Sequence, residues 1–185
     1  VDGHALTPRR GYPVELQALW YNAVSYTLAL AKKQGDKEFV AEWKALPEII
    51  KNSFLGCFWL SEGYLADYVN AEEINKFIRP NMVVAAGLDY VMLDEDKRVR
   101  VLQTVNEHLF TPRGLRTLSP RNMLYKSNYN EDQRSQDLAS RNGSAWVWPL
   151  MFYVKACFAI GGERYVDDAR KLLEAFDAEL QTKCV

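Results

Sequence analysis

The sequence is short of the residues that build metal and thiol sites. Among 185 residues it has three cysteines and two histidines. Cys57, Cys157 and Cys184 are odd in number and show no CxxC spacing, so they read as buried or incidental thiols in a reducing, cytoplasmic compartment. With only His4 and His108 beside them no zinc site is expected, and no motif calls for a cofactor. No apolar run reaches the roughly 18 to 20 residues that span a bilayer. The first residues also lack the charged-then-apolar order of a signal peptide, so neither a membrane span nor a leader is expected. Excess charge is missing too: a net −1 offers no broad attraction to nucleic acid or to an anionic membrane. The chain starts at Val1 rather than Met, as an internal piece of a longer protein would.

What is present suits one globular domain. Hydrophobic residues make up 48% and charged residues 25%, enough for a substantial core. One stretch organises the rest: Thr7 to Asn22, T-P-R-R-G-Y-P-V-E-L-Q-A-L-W-Y-N. Its proline-rich loop runs straight into an apolar helical pattern. Pro13 is predicted at the first helical position, where its missing N–H costs nothing. Glu15 then falls in the first turn, facing the positive end of the helix dipole. Arg9, Arg10, Glu15, Trp20 and Tyr21 thus gather at one helix entrance. Taken alone, this reads as a capped core helix with a solvated loop.

Periodicity predicts six helices. The first runs from Pro13 to Lys33 and is ended by Gly35. The second is capped by Asp36 and is kinked or restarted at Pro47 on its way to Phe58. The third opens at Pro80 and reaches Val91; the fourth is capped by Asp94 and reaches Leu109. The fifth covers Ser144 to Ile160, and the sixth Glu163 to Thr182. No stretch alternates well enough for a strand, so the expected class is all-α. Long loops over 59–79 and 110–143 alternate with short turns, and Pro13, Pro80 and Pro149 recur about every 67 residues. Stacked αα-hairpins place all the long loops at one end, which points to a solenoid or toroid with one functional face. A loop of over thirty residues favours function over mere connection.

That face collects Asp2, Glu15, Glu62, Asp67, Asp132 and Asp137, with Arg9, Arg10, Arg79, Arg113, Arg116 and Arg141. Trp20, Tyr64, Trp146 and Trp148 lead its aromatics, and Asn81 and Asn142 are among its amides. Indole and phenol faces beside Asp, Arg and Asn suit sugars, whose apolar C–H faces are ringed by hydroxyls. Glycoside hydrolysis further needs two carboxyl groups, and composition does not pick the pair. Plainer readings stand beside these. Trp146 and Trp148, two apart on a predicted helix, cannot share a face, so one is expected in the core. Arg113 and Arg116 can serve helix-end carbonyls. Glu62 and Asp67 read most simply as a solvated loop. A non-catalytic carbohydrate-binding or scaffold module of helix hairpins is the alternative to an enzyme.

The longer blocks resemble a known family. T-P-R-R-G-Y-P-V-E-L-Q-A-L-W-Y-N-A-V resembles the T-P-R-x-G-K-P-V-E-I-N-A-L-W-Y-N-A-L segment of the glycogen debranching enzymes, in their amylo-α-1,6-glucosidase domain. G-Y-L-A-D-Y-V at 63–69, I-R-P-N at 78–81 and T-P-R-G-L-R-T-L-S-P at 111–120 follow in the same order. Q-D-L-A-S-R-N-G-S-A-W-V-W at 136–148 is similar to R-D-x-A-Y-H-Q-G-T-V-W-P-W, with Arg141-Asn142 in place of His-Gln and Val147 in place of Pro.

The resemblance implies roughly half of an (α/α)6 toroid, three hairpins forming a single partial domain over residues 1–185. It implies hydrolysis of α-1,6-linked glucose in glycogen or limit dextrin, with inversion. Arg9, Glu15, Trp20, Tyr64, Arg79, Arg113, Arg116, Asp137, Trp146 and Trp148 are the substrate-binding residues it suggests. The implied partners are α-glucans, maltooligosaccharides included, together with the rest of the toroid and an N-terminal domain. The implied acid, the Asp of a W-M-D-A segment, falls upstream of Val1, since Asp2 lies about five residues too late to match it. The implied base, a Glu, falls downstream of Val185. The isolated piece is expected to be inactive and, with its helix flanks exposed, to self-associate or, if monomeric, to be marginally stable.

Overall fold

The computed structural model describes residues 5, 7–129 and 132–182, so Asp2, His4 and Cys184 lie outside the described residues. Helices dominate. Helix α1 (Val14–Gln34) ends at Gly35, whose φ of 76° is the left-handed conformation that glycine adopts without strain. Asp36 caps α2 (Lys37–Trp43) by accepting the Phe39 N–H at 3.0 Å. Pro47 stands in the first turn of α3 (Leu46–Phe58), so it restarts the helix there. After α4 (Met82–Gly87), Asp94 caps α5 (Glu95–His108) through the Lys97 N–H at 2.8 Å. Asp132 does the same for α6 (Gln133–Asn142) through Ser135 N–H, and α7 (Leu150–Ile160) and α8 (Glu163–Thr182) complete the chain.

Helix α1 packs on α2 and α3, α4 on α5, and α7 on α8, while α4 lies between α1 and α7. Every residue of α4 is buried. A Cβ at Gly87 would overlap the Phe152 backbone, so glycine is what lets α4 and α7 come this close. One core cluster reaches from Val14 on α1 through Val83, Leu102 and Tyr153 to Leu172 on α8. No helix among the described residues is long and apolar enough to cross a membrane.

Several expectations need correction. The chain is mostly helical rather than all-α, because two small antiparallel sheets brace the loops. One sheet orders β1 (Tyr12–Pro13), β2 (Tyr68–Val69) and β3 (Ile74–Asn75); the other orders β4 (Phe110–Thr111), β5 (Gly114–Arg116) and β6 (Ala145–Trp146). Strands of two or three residues are too short for alternation to register in a sequence. Pro13 is extended and precedes the helix, pairing with Tyr68, while the Val14 N–H donates to the Asp67 carbonyl at 3.0 Å. The second long loop contains α6, whose buried residues are Ser135, Ala139 and Asn142, small or polar side chains that leave no apolar stripe. Helix α7 begins only at Leu150, because Trp146 and Ala145 are taken up by pairing with β5.

Candidate functional site

The loops meet through a network centred on Asp67. This carboxylate is 3% exposed and sits just before β2. Arg9 reaches it from the loop before β1: its Nη2 donates to Oδ1 at 3.0 Å and to the main-chain carbonyl at 2.9 Å. Its Nε stands 2.8 Å from Oδ2, an ionic contact outside hydrogen-bond geometry. The same guanidinium makes a two-pronged pair with Glu15, Nη1 to Oε1 at 2.5 Å and Nη2 to Oε2 at 2.7 Å. Asn81 donates to Asp67 Oδ1 at 2.8 Å, and Arg79 Nε lies 3.8 Å from Oδ2.

Arg79, 8% exposed, then ties this centre to the second long loop, 110–143. Its Nη1 donates to the carbonyls of Thr117 at 2.9 Å and Arg141 at 2.8 Å, and its Nη2 to Asn142 Oδ1 at 2.8 Å. Burial pushes the Asp67 carboxyl above the ordinary carboxylate range, with Arg9, Asn81 and Arg79 pulling against that shift. Burial likewise lowers the Arg79 guanidinium, opposed by Asp67, whereas in Arg9 it is outweighed by Glu15 and Asp67. The carboxylate therefore serves to hold two guanidiniums rigidly beneath the loop surface.

Above this network opens a cavity of about 250 Å³. Arg9, Arg79, Asn81, Arg141, Trp146 and Trp148 are in its wall. The two indoles are 43% and 49% exposed, so neither is a core residue. They share the cavity because they lie on β6 and the turn after it, not on a helix, and Trp146 is fixed by donating Nε1–H to the Ser140 carbonyl at 2.9 Å. A second cavity of about 250 Å³ shares Arg9 and Arg79 and adds Asp67 and Glu73. A larger cavity of about 400 Å³ lies against α8, but Phe110, Tyr153, Leu172 and Ala175 make it mainly apolar, and none of the predicted residues lines it. Among the described residues, no group of three His, Cys, Asp or Glu side chains could hold a metal ion.

Paired aromatics, guanidiniums and amides thus meet at one cavity among the loops, a surface chemically compatible with a sugar. The amylo-alpha-1,6-glucosidase family matches residues 1–185, the entire chain. The chain belongs to that family. It is also similar to a glycogen debranching enzyme of Saccharomyces cerevisiae (strain ATCC 204508 / S288c), 24% identical over 188 residues. That alignment covers 81% of this chain and 12% of the yeast protein, so the chain spans a small part of its relative's length.

Within this amylo-alpha-1,6-glucosidase domain, Arg9, Arg79, Trp146 and Trp148 come together at one cavity, with Glu15 behind Arg9. The other predicted residues stand elsewhere. Trp20 lines a groove between α1 and α3 with Ile49, Ile50 and Phe54. The Tyr64 hydroxyl donates to the Lys76 carbonyl at 3.0 Å. Arg113 occupies the turn between β4 and β5, and Arg116 donates to the Phe110 carbonyl at 3.1 Å, near the end of α5. Asp137 accepts from Gln133 on α6, one turn back from Arg141. Glu62 is exposed and paired with Lys76 at 2.8 Å, as the solvated-loop reading expects, but Asp67 is not. Its burial depends on partners from distant parts of the chain, which no local pattern reveals. Asn142 and Thr117 were likewise invisible as the receivers of Arg79.

Proposed function

We propose that this chain forms one wall of the α-glucan site in a debranching-type glycoside hydrolase, one that cleaves α-1,6-linked glucose from glycogen or limit dextrin. The observation that carries the reading is the pair Trp146 and Trp148, two half-exposed indoles lining one cavity with Arg9, Arg79 and Asn81. Indole faces take the C–H faces of glucose, and fixed guanidinium and amide donors take its hydroxyls. Family membership supports the reaction class, and the name of the yeast relative supports the substrate.

Hydrolysis with inversion needs two carboxyl groups about 6.5–9.5 Å apart. Glu15 and Asp67 are both engaged by Arg9, and among the described residues no carboxylate lines the cavity that holds the indoles. The acid and base are therefore proposed to come from segments of the longer protein outside these 185 residues. The same segments would supply the hairpins that close an (α/α)6 toroid, beside an N-terminal domain, in the cytoplasm. They would also cover the apolar flanks left open at Leu16 and Leu30 of α1 and at Leu173 and Leu180 of α8, through which the isolated piece would self-associate.

Glucose release from a branched limit dextrin tests this. The 185-residue chain should release none, and the longer protein should release glucose at a rate that falls when Trp146 and Trp148 become Ala. Release by the short chain would overturn the assignment of the carboxylates. Binding without release by the longer protein would favour the alternative, a non-catalytic carbohydrate-binding module.

A further inference from the structure

The cavity carries a charge that the Asp67 network leaves unmatched. Arg9, Arg79 and Arg141 are among its lining residues, and among the described residues no carboxylate lines it. Glu15 and Asp67 neutralise the first two from behind the wall. Arg141 is different. It is exposed in the last turn of α6, and among the described residues its guanidinium meets neither a carboxylate nor a carbonyl. Asp137, the acid one turn back, is engaged by Gln133 at 3.1 Å. The root of Arg141 is nonetheless fixed, because its own carbonyl accepts from Arg79 Nη1 at 2.8 Å. A cation near the end of α6 also suits the helix dipole. That effect does not by itself bring Arg141 to the cavity, whereas Arg141 is also one of the residues lining the cavity that holds Trp146 and Trp148.

We infer that Arg141 makes this cavity select α-glucan chains that carry a phosphoryl ester on a glucose hydroxyl. The inference rests on the glucan reading above. A neutral glucan would use the indoles and the paired arginines alone. A phosphoryl group beside the stacked ring would accept the planar N–H fork of Arg141, a charge-assisted contact that a hydroxyl makes only weakly. Arg9 and Arg79 cannot supply this, since their charges are already matched within the wall.

The test is calorimetry on the 185-residue chain with a neutral maltooligosaccharide, the phosphorylated ester of the same length, and inorganic phosphate alone. At low salt the ester should bind about five-fold tighter than the neutral sugar, the scale of one exposed charged contact. That ratio should fall toward one in Arg141→Gln and at high salt, and be kept only in part in Arg141→Lys, which retains the charge but not the planar fork. Inorganic phosphate should bind about ten-fold more weakly than the ester, having no ring to stack. Equal binding of ester and neutral sugar by the unmodified chain, or a preference surviving in Arg141→Gln, would overturn the proposal while leaving the glucan site standing. Phosphate binding as tightly as the ester would overturn it as well. Failure of both sugars to bind would overturn the glucan reading itself, and this inference with it.

Discussion

Arg9 and Asp67 stand 58 residues apart in sequence and in direct contact in space, Nη2 donating to Oδ1 at 3.0 Å. This pair joins the entrance of α1 to the loop ahead of β2, and Arg79 extends it to the segment 110–143 through Thr117, Arg141 and Asn142. The loops around the cavity are thus joined by ionic and carbonyl contacts.

Removing Asp67 should therefore be costly. Asp67→Ala leaves Arg9 and Arg79 part-buried without their shared counter-charge, and the expected loss is about 3 kcal/mol. Denaturant unfolding checks this. Glu62→Ala, five residues away on the surface, should leave the midpoint nearly unchanged, and equal effects of the two would contradict the burial of Asp67.

Gly87→Ala separates two opposed effects. Alanine is the better helix former by about 1 kcal/mol. The added Cβ would overlap the Phe152 backbone, which no rotamer change relieves. Overlap should win, with a net loss of about 1–3 kcal/mol visible as a lower thermal midpoint.

Stability should also depend on His108. Burial holds its imidazole below the ordinary histidine range, only partly offset by Glu107, and Nδ1 lies 3.1 Å from Ser119 Oγ. The unfolded chain then binds a proton that the native chain refuses, between the lowered value and the unperturbed one of about 6.5. Stability is full above that pH and falls as pH drops through the window. Thermal midpoints measured between about pH 5 and pH 7.5 should decline on acidification, with a shallower slope in His108→Gln.

The legible parts of the fold were those decided by one residue and its near neighbours. Gly35 ends α1, and Asp36 and Asp94 cap α2 and α5, because the bonds responsible span only a few positions. The helix starts just after Pro13, Pro80 and Pro149 were legible too, α1 beginning at Val14, α4 at Met82 and α7 at Leu150. Strands of two residues were not, and so Trp146 and Trp148 were misread onto a helix when β6 and its turn carry them. Of the residues named for a site, Arg9, Arg79 and the two indoles were legible as candidates, and they share one cavity. The network centre at Asp67 was not legible, because nothing near it in sequence accounts for its burial. Trp20, Tyr64 and Asp137 share the family blocks with the site residues but not their place in space.

The most direct test of the account is maltooligosaccharide binding followed by tryptophan fluorescence or calorimetry. The 185-residue chain should bind maltopentaose saturably, and Trp146→Ala and Trp148→Ala should each weaken that binding by about ten-fold, the scale of one aromatic platform, with little change in thermal midpoint. Absence of saturable binding, or affinity unchanged when both indoles are removed, would contradict it.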